Sequence, residues 1–214
     1  MNVDLAERLK LETRTLHTEA ERSPFMAALL RGRMSRSAYV ALLQNLHAIY
    51  ATLEPALRRH AAHPAIAPFD LASLARSQSL LGDLSVLLSS FDTDASRLLE
   101  PASSEYVERL RELDARRPEL LLAHAYVRYL GDLSGGQMLG PIVERMLQLP
   151  PGVGTAFYDF GDAPTTAART TAFRSGLQAV AVDDPDELVD EAKRAFEWHK
   201  SLFGELARRF DITS

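Results

Sequence analysis

The stretch Tyr129-Leu130-Gly131-Asp132-Leu133-Ser134-Gly135-Gly136-Gln137 interrupts what otherwise reads as one long helix, from about Pro118 to Leu149. Upstream, Leu120, Leu121, His124, Tyr126, Arg128 and Tyr129 suit a helix. Downstream, Ile142, Val143, Met146, Leu147 and Leu149 resume a helical apolar pattern. Between them lie Gly131, Gly135, Gly136 and Gly140, followed by Pro141. Each interior glycine costs ~1 kcal/mol relative to alanine and an interior proline ~3 kcal/mol, on the order of 7 kcal/mol together. That is comparable with the ~5–15 kcal/mol that holds a whole domain folded, so the weakness needs a compensating use. Gly131 and Gly135 are one turn apart with Gly136 beside them, giving a helix face without side chains. A broad, flat group fits directly on such a backbone. The glycines also let the helix bend, and Pro141 removes one of its internal hydrogen bonds.

The chain around this stretch reads as helices throughout. Leu5, Leu9, Leu16 and Ala20 recur at helical spacing, and a second face carries Lys10, Arg14, His17 and Glu21 in a line. Such a charged row equally fits a solvated surface. Phe25 to Leu30 is a short helix ending near Gly32. Ser35 caps a segment with the stripe Tyr39, Leu42, Leu43, Leu46, Ile49, Tyr50 and Leu53, which Pro55 bends. His60 to Asp70 is a loop and Leu71 to Leu88 a helix. Ser89 to Ser104 is polar and loop-like, and Tyr106 to Arg116 a short helix. Pro150-Pro151-Gly152-Val153-Gly154 ends the interrupted helix, and Ala156 to Asp162 is extended. Thr165 to Val180 is a helix with Phe173 and Leu177 inward and Arg169 and Arg174 displayed. Asp183 or Asp184 caps a last helix bearing Leu188, Ala192, Ala195, Phe196, Leu202, Phe203 and Leu206. With no strand set, repeat or long linker, the expected architecture is all-α, one multi-helix domain over residues 1–214 with a core of about 5–208.

Composition narrows the chemistry. The 24 Lys and Arg against 29 Asp and Glu leave a formal charge of −5, which argues against nucleic acid or anionic membrane as a partner. The absence of cysteine excludes disulfides, thiolate metal sites, a Cys nucleophile and covalently attached haem. Acidic residues near the start, no apolar run of ~20 residues and no C-terminal anchor give a cytoplasmic protein as the expectation. No Glu-x-x-His, His-Glu-x-x-His, phosphate-binding glycine loop or Gly-x-Ser-x-Gly occurs. What remains is one histidine on a charged helical face and one helix with a bare backbone face. A porphyrin between two helices fits both, with imidazole on the iron from one side. His47, His124 and His199 read as structural histidines, and His60 and His63 as surface ones. Arg128 and Asp132, at i and i+4, equally fit a plain helix salt bridge of ~0.3–0.5 kcal/mol.

Ala123-His124-Ala125-Tyr126-Val127-Arg128-Tyr129-Leu130-Gly131-Asp132-Leu133-Ser134-Gly135-Gly136-Gln137 closely resembles the distal helix of biliverdin-producing haem oxygenases, with the soluble bacterial-type members as the nearest pattern. Leu16-His17-Thr18-Glu19-Ala20-Glu21, followed by Phe25-Met26, looks like the proximal helix of that family. Ile49-Tyr50-Ala51-Thr52-Leu53-Glu54 and Glu191-Ala192-Lys193-Arg194-Ala195-Phe196 match further segments in the same order. The resemblance covers about residues 8 to 207.

It implies a haem sandwiched between a proximal and a kinked distal helix. The implied reaction is oxidative opening of haem b, both cofactor and substrate, by O2 and external electrons, to biliverdin, ferrous iron and CO. The resemblance makes His17 the iron ligand and Glu21 the partner of its other ring nitrogen. Lys10, Arg14 and Arg174 fall at propionate positions, with Tyr126 as a hydrogen-bonding group. Gly131, Gly135 and Gly136 form the distal backbone wall, and Phe196 is a further haem contact. Asp132 is the implied organiser of distal waters and source of protons, supported by Arg128 and Tyr50. The implied partners are an electron donor such as ferredoxin or a flavoprotein reductase, and a biliverdin-using acceptor. Thr170 stands where animal members carry a propionate-binding Lys, with Arg169 adjacent; His199 stands where Asn occurs; Pro141 is an added interruption. A haem carrier or sensor, and a helical thiaminase-like protein, share parts of the pattern. Asp132 with its glycine run argues against the first, and the lack of cysteine against the second.

Overall fold

The computed structural model describes residues 4–88 and 99–213, and among these every regular element is helical. The elements are α1 (Leu5–Glu21), α2 (Pro24–Leu30), α3 (Arg36–Arg59), α4 (Ser77–Leu87), α5 (Pro101–Arg116), α6 (Leu121–Ala125), α7 (Gly131–Leu147), α8 (Ala163–Ala179) and α9 (Pro185–Arg209). Short polar residues set most of the starts. Asp4, Ser23, Ser35, Asp162 and Asp184 each accept a backbone N–H of the first turn that would otherwise lack a partner. Pro24, Pro101 and Pro185 sit in first turns, where a missing N–H costs nothing.

The core forms around α3, whose buried side chains face α4 and α5, and α9, which packs along α1 and against α2, α5 and α6. Leu188, Val189, Ala192, Ala195, Phe196, Leu202 and Leu206 make the buried stripe of α9. Its polar edge meets α1 through the pairs Arg8–Asp186, Lys193–Glu12 and Lys200–Glu19. These pairs are exposed and fix register more than they add stability. α1 packs on α8 and α9 rather than along α7, so the first helix and the glycine-bearing helix stand as separate walls. Among the described residues no helix is long and apolar enough to cross a membrane.

Several expectations need correction. The helix expected from Pro118 to Leu149 runs without a gap from Pro118 to Leu147, but its type changes along the way. A single 3-10 turn at Pro118–Leu120 leads into α6, then a wide π turn covers Tyr126–Leu130, and α7 ends at Leu147. Gln148 closes α7 in a left-handed conformation at φ 55°. The irregularity therefore falls just before the glycines, where one residue more than an α-turn is accommodated. α3 runs through Pro55 to Arg59. The stretch Leu71 to Leu88 is split: a turn at Ala72–Leu74 precedes α4, and the break at Arg76 is held by Glu54, which accepts from the amides of Arg76 and Ser77. α5 begins at Pro101, five residues earlier than the apolar pattern implied, and the polar reading of 89–98 lies outside the described residues. Ala156 to Asp162 is not extended. It opens with a turn at Ala156–Tyr158, because Asp83 accepts the amides of Ala156 and Phe157 at 2.9 and 2.8 Å. His60 is not a free surface group, since its Nε2 lies 3.0 Å from Asp114 Oδ1.

Candidate functional site

On α1, Lys10, Arg14, His17 and Glu21 all lie on the exposed face. His17 Nδ1 lies 3.5 Å from Glu21 Oε2, which leaves Nε2 as the nitrogen available to a metal. The His17 ring meets Phe196 of α9 edge-on, with centroids 5.7 Å apart. Thr13 turns the other way, donating to the Leu9 carbonyl at 2.6 Å, with its oxygen 3.5 Å from the Tyr126 hydroxyl. Burial pushes the Tyr126 pKa up, while the Thr13 contact and the positive charge of Arg174 act against it. His17, Phe196, Tyr126 and Arg174 thus come to one neighbourhood from four different elements. Lys10, Arg14 and Arg174 are exposed and, among the described residues, make no ion pair. Such cations are free to meet carboxylates. Arg169 is committed elsewhere, donating to the Phe160 carbonyl at 2.6 Å, and Thr170 bonds back to Thr166 within α8.

On α7 the glycines divide into two pairs. A Cβ built on Gly131 or on Gly135 meets nothing within 4 Å. One built on Gly136 comes within 3.3 Å of the Tyr158 carbonyl oxygen and 3.6 Å of its Cα. One on Gly140 comes within 3.7 Å of the Tyr158 Cβ. At 100° per residue these pairs lie on nearly opposite sides of the helix. Gly131 and Gly135 make an open backbone face. Gly136 does not share it, contrary to the expectation, because it is buried against the 156–158 turn.

Beside the open face lies a buried polar network. Asp132, its side chain 10% exposed, accepts from Arg128 Nη2 at 2.8 Å and from the Tyr50 hydroxyl. Arg128 Nε donates to the Tyr50 oxygen at 3.1 Å, and its Nη1 lies 2.6 Å from His199 Nε2. His199 Nδ1 is 2.7 Å from the Ala195 carbonyl, so Nδ1 carries the proton and Nε2 accepts. The i, i+4 pair is therefore a salt bridge, but one knitted into a buried cluster rather than a surface pair. Burial raises the Asp132 pKa above the usual carboxylate range, against the pull of Arg128 and Tyr50. A carboxyl balanced in this way is suited to hold and release a proton.

A second buried cluster adjoins it and was not legible in the sequence. His124, fully buried, bridges the Tyr106 hydroxyl at 2.9 Å and Glu191 Oε1 at 3.1 Å, and Arg109 holds Glu191 in a bidentate pair. Burial works to raise the Glu191 pKa, but His124 and Arg109 bring it down to about 2. Both ring nitrogens of His124 and of His199 are thus occupied inside the protein.

The His199 arrangement predicts an acid response. Burial, followed by the charge of Arg128, pushes its imidazole down to about 3. The unfolded chain takes up that proton below about pH 6.5 while the folded one refuses it. Stability is therefore lost as pH falls from about 6.5 toward 3. The melting temperature is expected to drop across that window, and His199→Asn, which cannot take the proton, should flatten the drop. Thermal melts between pH 7 and 4 check this; an unchanged slope in the variant would contradict it.

The model of the heme oxygenase family matches residues 3–205 of the chain. Heme oxygenase 1 of a Nostoc species is 38% identical over 208 residues, covering 96% of this chain and 87% of that protein. Heme oxygenase 1 of a Synechocystis species is 36% identical over 208 residues, covering 96% of this chain and 86% of that protein. Among solved structures, heme oxygenase-1 of Synechocystis in complex with heme superposes with a TM-score of 0.88 at 33% identity, covering 98% of this chain and 95% of that one. The heme oxygenase of Leptospira interrogans gives 0.88 at 31% identity, covering 95% of this chain and all of that one.

Proposed function

The chain belongs to the heme oxygenase family, and from that premise we infer that it opens the haem macrocycle oxidatively, with O2 and supplied electrons, to biliverdin, ferrous iron and CO. The 214 residues are read as one such domain. The observation that carries the placement of the site is the open glycine pair: Gly131 and Gly135 offer bare backbone where any side chain would stand. The residues present fit a haem. His17, with Nδ1 beside Glu21, would give the iron a nitrogen ligand, and Lys10, Arg14 and Arg174, which make no ion pair among the described residues, would meet the propionates. Phe196, edge-on to His17, supplies apolar surface beside the ring.

Haem, when bound, supplies both the iron that handles O2 and the ring that is cut. The protein's own part is positional and protonic. His17 would hold the haem from α1. The cations would bind its carboxylates and so select its orientation. Gly131 and Gly135 bring no acid or base of their own to the far wall, so protons come only from one side. There the Asp132 carboxyl, its pKa pushed up by burial, would organise water and pass on protons, and Arg128 and Tyr50 keep that carboxyl in place. Electrons are taken from a ferredoxin or a flavoprotein reductase, in the cytoplasm, and the product passes to a biliverdin-using acceptor.

Turnover tests the reading directly. The protein loaded with haem, given ferredoxin and its reductase or ascorbate under air, should lose its Soret band and gain biliverdin absorption. A stable Soret band would leave a haem carrier instead. Gly135→Leu tests the slot itself. Leucine is a better helix former than glycine by ~0.8 kcal/mol, and a Cβ at this position meets nothing within 4 Å in the ligand-free protein. The variant should melt no lower than wild type, yet bind haem about 10–100-fold more weakly, the ~1–3 kcal/mol of an overfilled site. Soret titration beside a thermal melt measures both; wild-type affinity would place the haem elsewhere.

A further inference from the structure

The connection between α7 and α8 is held more firmly than a surface loop requires. Apart from the turn at Ala156–Tyr158, residues 152–160 form no regular structure. Side chains from four helices nevertheless pin their backbone. Glu144 of α7 accepts from the Gly152 amide at 2.7 Å and the Thr155 hydroxyl at 2.8 Å. Tyr39 of α3 donates to the Gly154 carbonyl at 3.3 Å. Arg169 of α8 donates to the Phe160 carbonyl, and Arg76, just before α4, to that of Asp159. At the centre is Asp83 of α4, 2% exposed, whose two oxygens each take one amide, from Ala156 and Phe157.

This strap has two contacts with the site. Its Tyr158 lies against α7, with its backbone at Gly136 and its Cβ at Gly140, on the side away from the open pair Gly131 and Gly135. The Phe157 ring meets the Tyr50 ring edge-on at 5.8 Å, and Tyr50 donates to Asp132. A Cβ added at Gly136 would stand 3.3 Å from a backbone oxygen, which cannot swing aside as a flexible side chain does. Moving the strap therefore moves α7, and moving α7 changes the space in front of Gly131 and Gly135.

We propose that the 152–160 strap is the back-stop that sets the width of the haem slot, and that Asp83 is the positioning residue that fixes it; this rests on the slot reading given above. A carboxylate accepting two amides is matched to the turn in a way a carboxamide is not. Asparagine keeps one acceptor and turns an NH2 toward the second amide donor. Burial pushes the Asp83 pKa up, and the two amides offset part of that rise.

The test begins with ligand-free protein. Hydrogen exchange by mass spectrometry compares wild type, Asp83→Asn and Val107→Ala, a core change on α5 that lowers stability away from the strap. Asp83→Asn should speed exchange at residues 131–140 at least tenfold more than at α5, and Val107→Ala should not. With saturating haem, Asp83→Asn should lower kcat at least tenfold or alter the biliverdin isomer mix, with KM for haem within about threefold of wild type. Gly136→Ala presses on the helix from the strap side and should weaken haem binding at least tenfold while keeping its melting temperature near wild type. Exchange rising evenly over all helices in Asp83→Asn, or wild-type haem affinity in Gly136→Ala, overturns the proposal. Failure of wild type to bind haem at all would overturn the slot reading instead, and the exchange result would show separately whether Asp83 positions α7.

Discussion

Asp132→Asn is expected to bind haem with wild-type affinity and to lose ring opening by about 100-fold or more, the range a positioned acid or base contributes. The substitution keeps the shape of the side chain and one oxygen to accept from Arg128, while its NH2 faces the Tyr50 hydroxyl, which can turn to accept as the fixed amides at Asp83 cannot. It removes the one group on the open side of α7 that can carry a proton. The carboxyl lies one residue beyond Gly131, and the glycines themselves supply neither acid nor base. Burial has already raised its pKa, which brings its proton closer to the range where transfer is easy in both directions. Arg128 cannot stand in, because a guanidinium stays protonated in a protein and gives up no proton near neutral pH. Tyr50 cannot stand in either, since burial holds its hydroxyl well above the ordinary tyrosine range. Soret titration would show binding intact, and biliverdin absorbance after reductant addition would show the loss. Full biliverdin yield from the variant would remove Asp132 from the reaction.

Much of this site was open to sequence reasoning because its parts are local in the chain. Lys10, Arg14, His17 and Glu21 share one helix face, and their spacing alone lines them up. Gly131 and Gly135 likewise show a bare face by count. What the spacing could not show depends on contacts between elements. Gly136 sits beside the other glycines in sequence, yet only the arrival of Tyr158 from a distant segment decides that it faces inward. The pair Gly136 and Gly140, one turn apart, was the available sign of a close backbone approach. Asp83 reads as an unremarkable acid on a helix until two amides 73 and 74 residues away meet it. His199 could be placed on α9 but not paired with Arg128 across 71 residues. The wide turn at Tyr126–Leu130 escaped for a different reason. Periodicity registers a repeat, and a single extra residue shifts the phase without erasing the apolar stripe on either side. The extended reading of 156–162 failed because aromatic composition favours strands in general, whereas here a buried carboxylate captures successive amides and closes a turn.

His17→Ala is expected to abolish the six-coordinate ferric spectrum of the haem complex and to weaken haem binding, with added imidazole restoring the spectrum. Elimination and position both single out His17. His124 is 0% exposed, with its nitrogens on Tyr106 and Glu191; His199 is 3% exposed, with its nitrogens on Arg128 and Ala195. Recruiting either would break bonds inside the core, at roughly 1–3 kcal/mol for each buried group left unsatisfied. His60 is held by Asp114, and the His63 Nδ1 accepts from the Ala65 amide. His17 differs from all of these in standing on an exposed face, 47% exposed, with a carboxylate on the nitrogen away from any metal and unpaired cations along the same helix. Glu21→Gln separates the two roles. Glutamine can still accept from Nδ1–H but carries no charge, so the ligand should remain while its donor strength falls. The spectrum should stay six-coordinate, with the reduction potential of the complex moved upward as the imidazole becomes a poorer donor. An unchanged spectrum in His17→Ala would shift the ligand to half-buried His47, and with it the whole orientation of the slot.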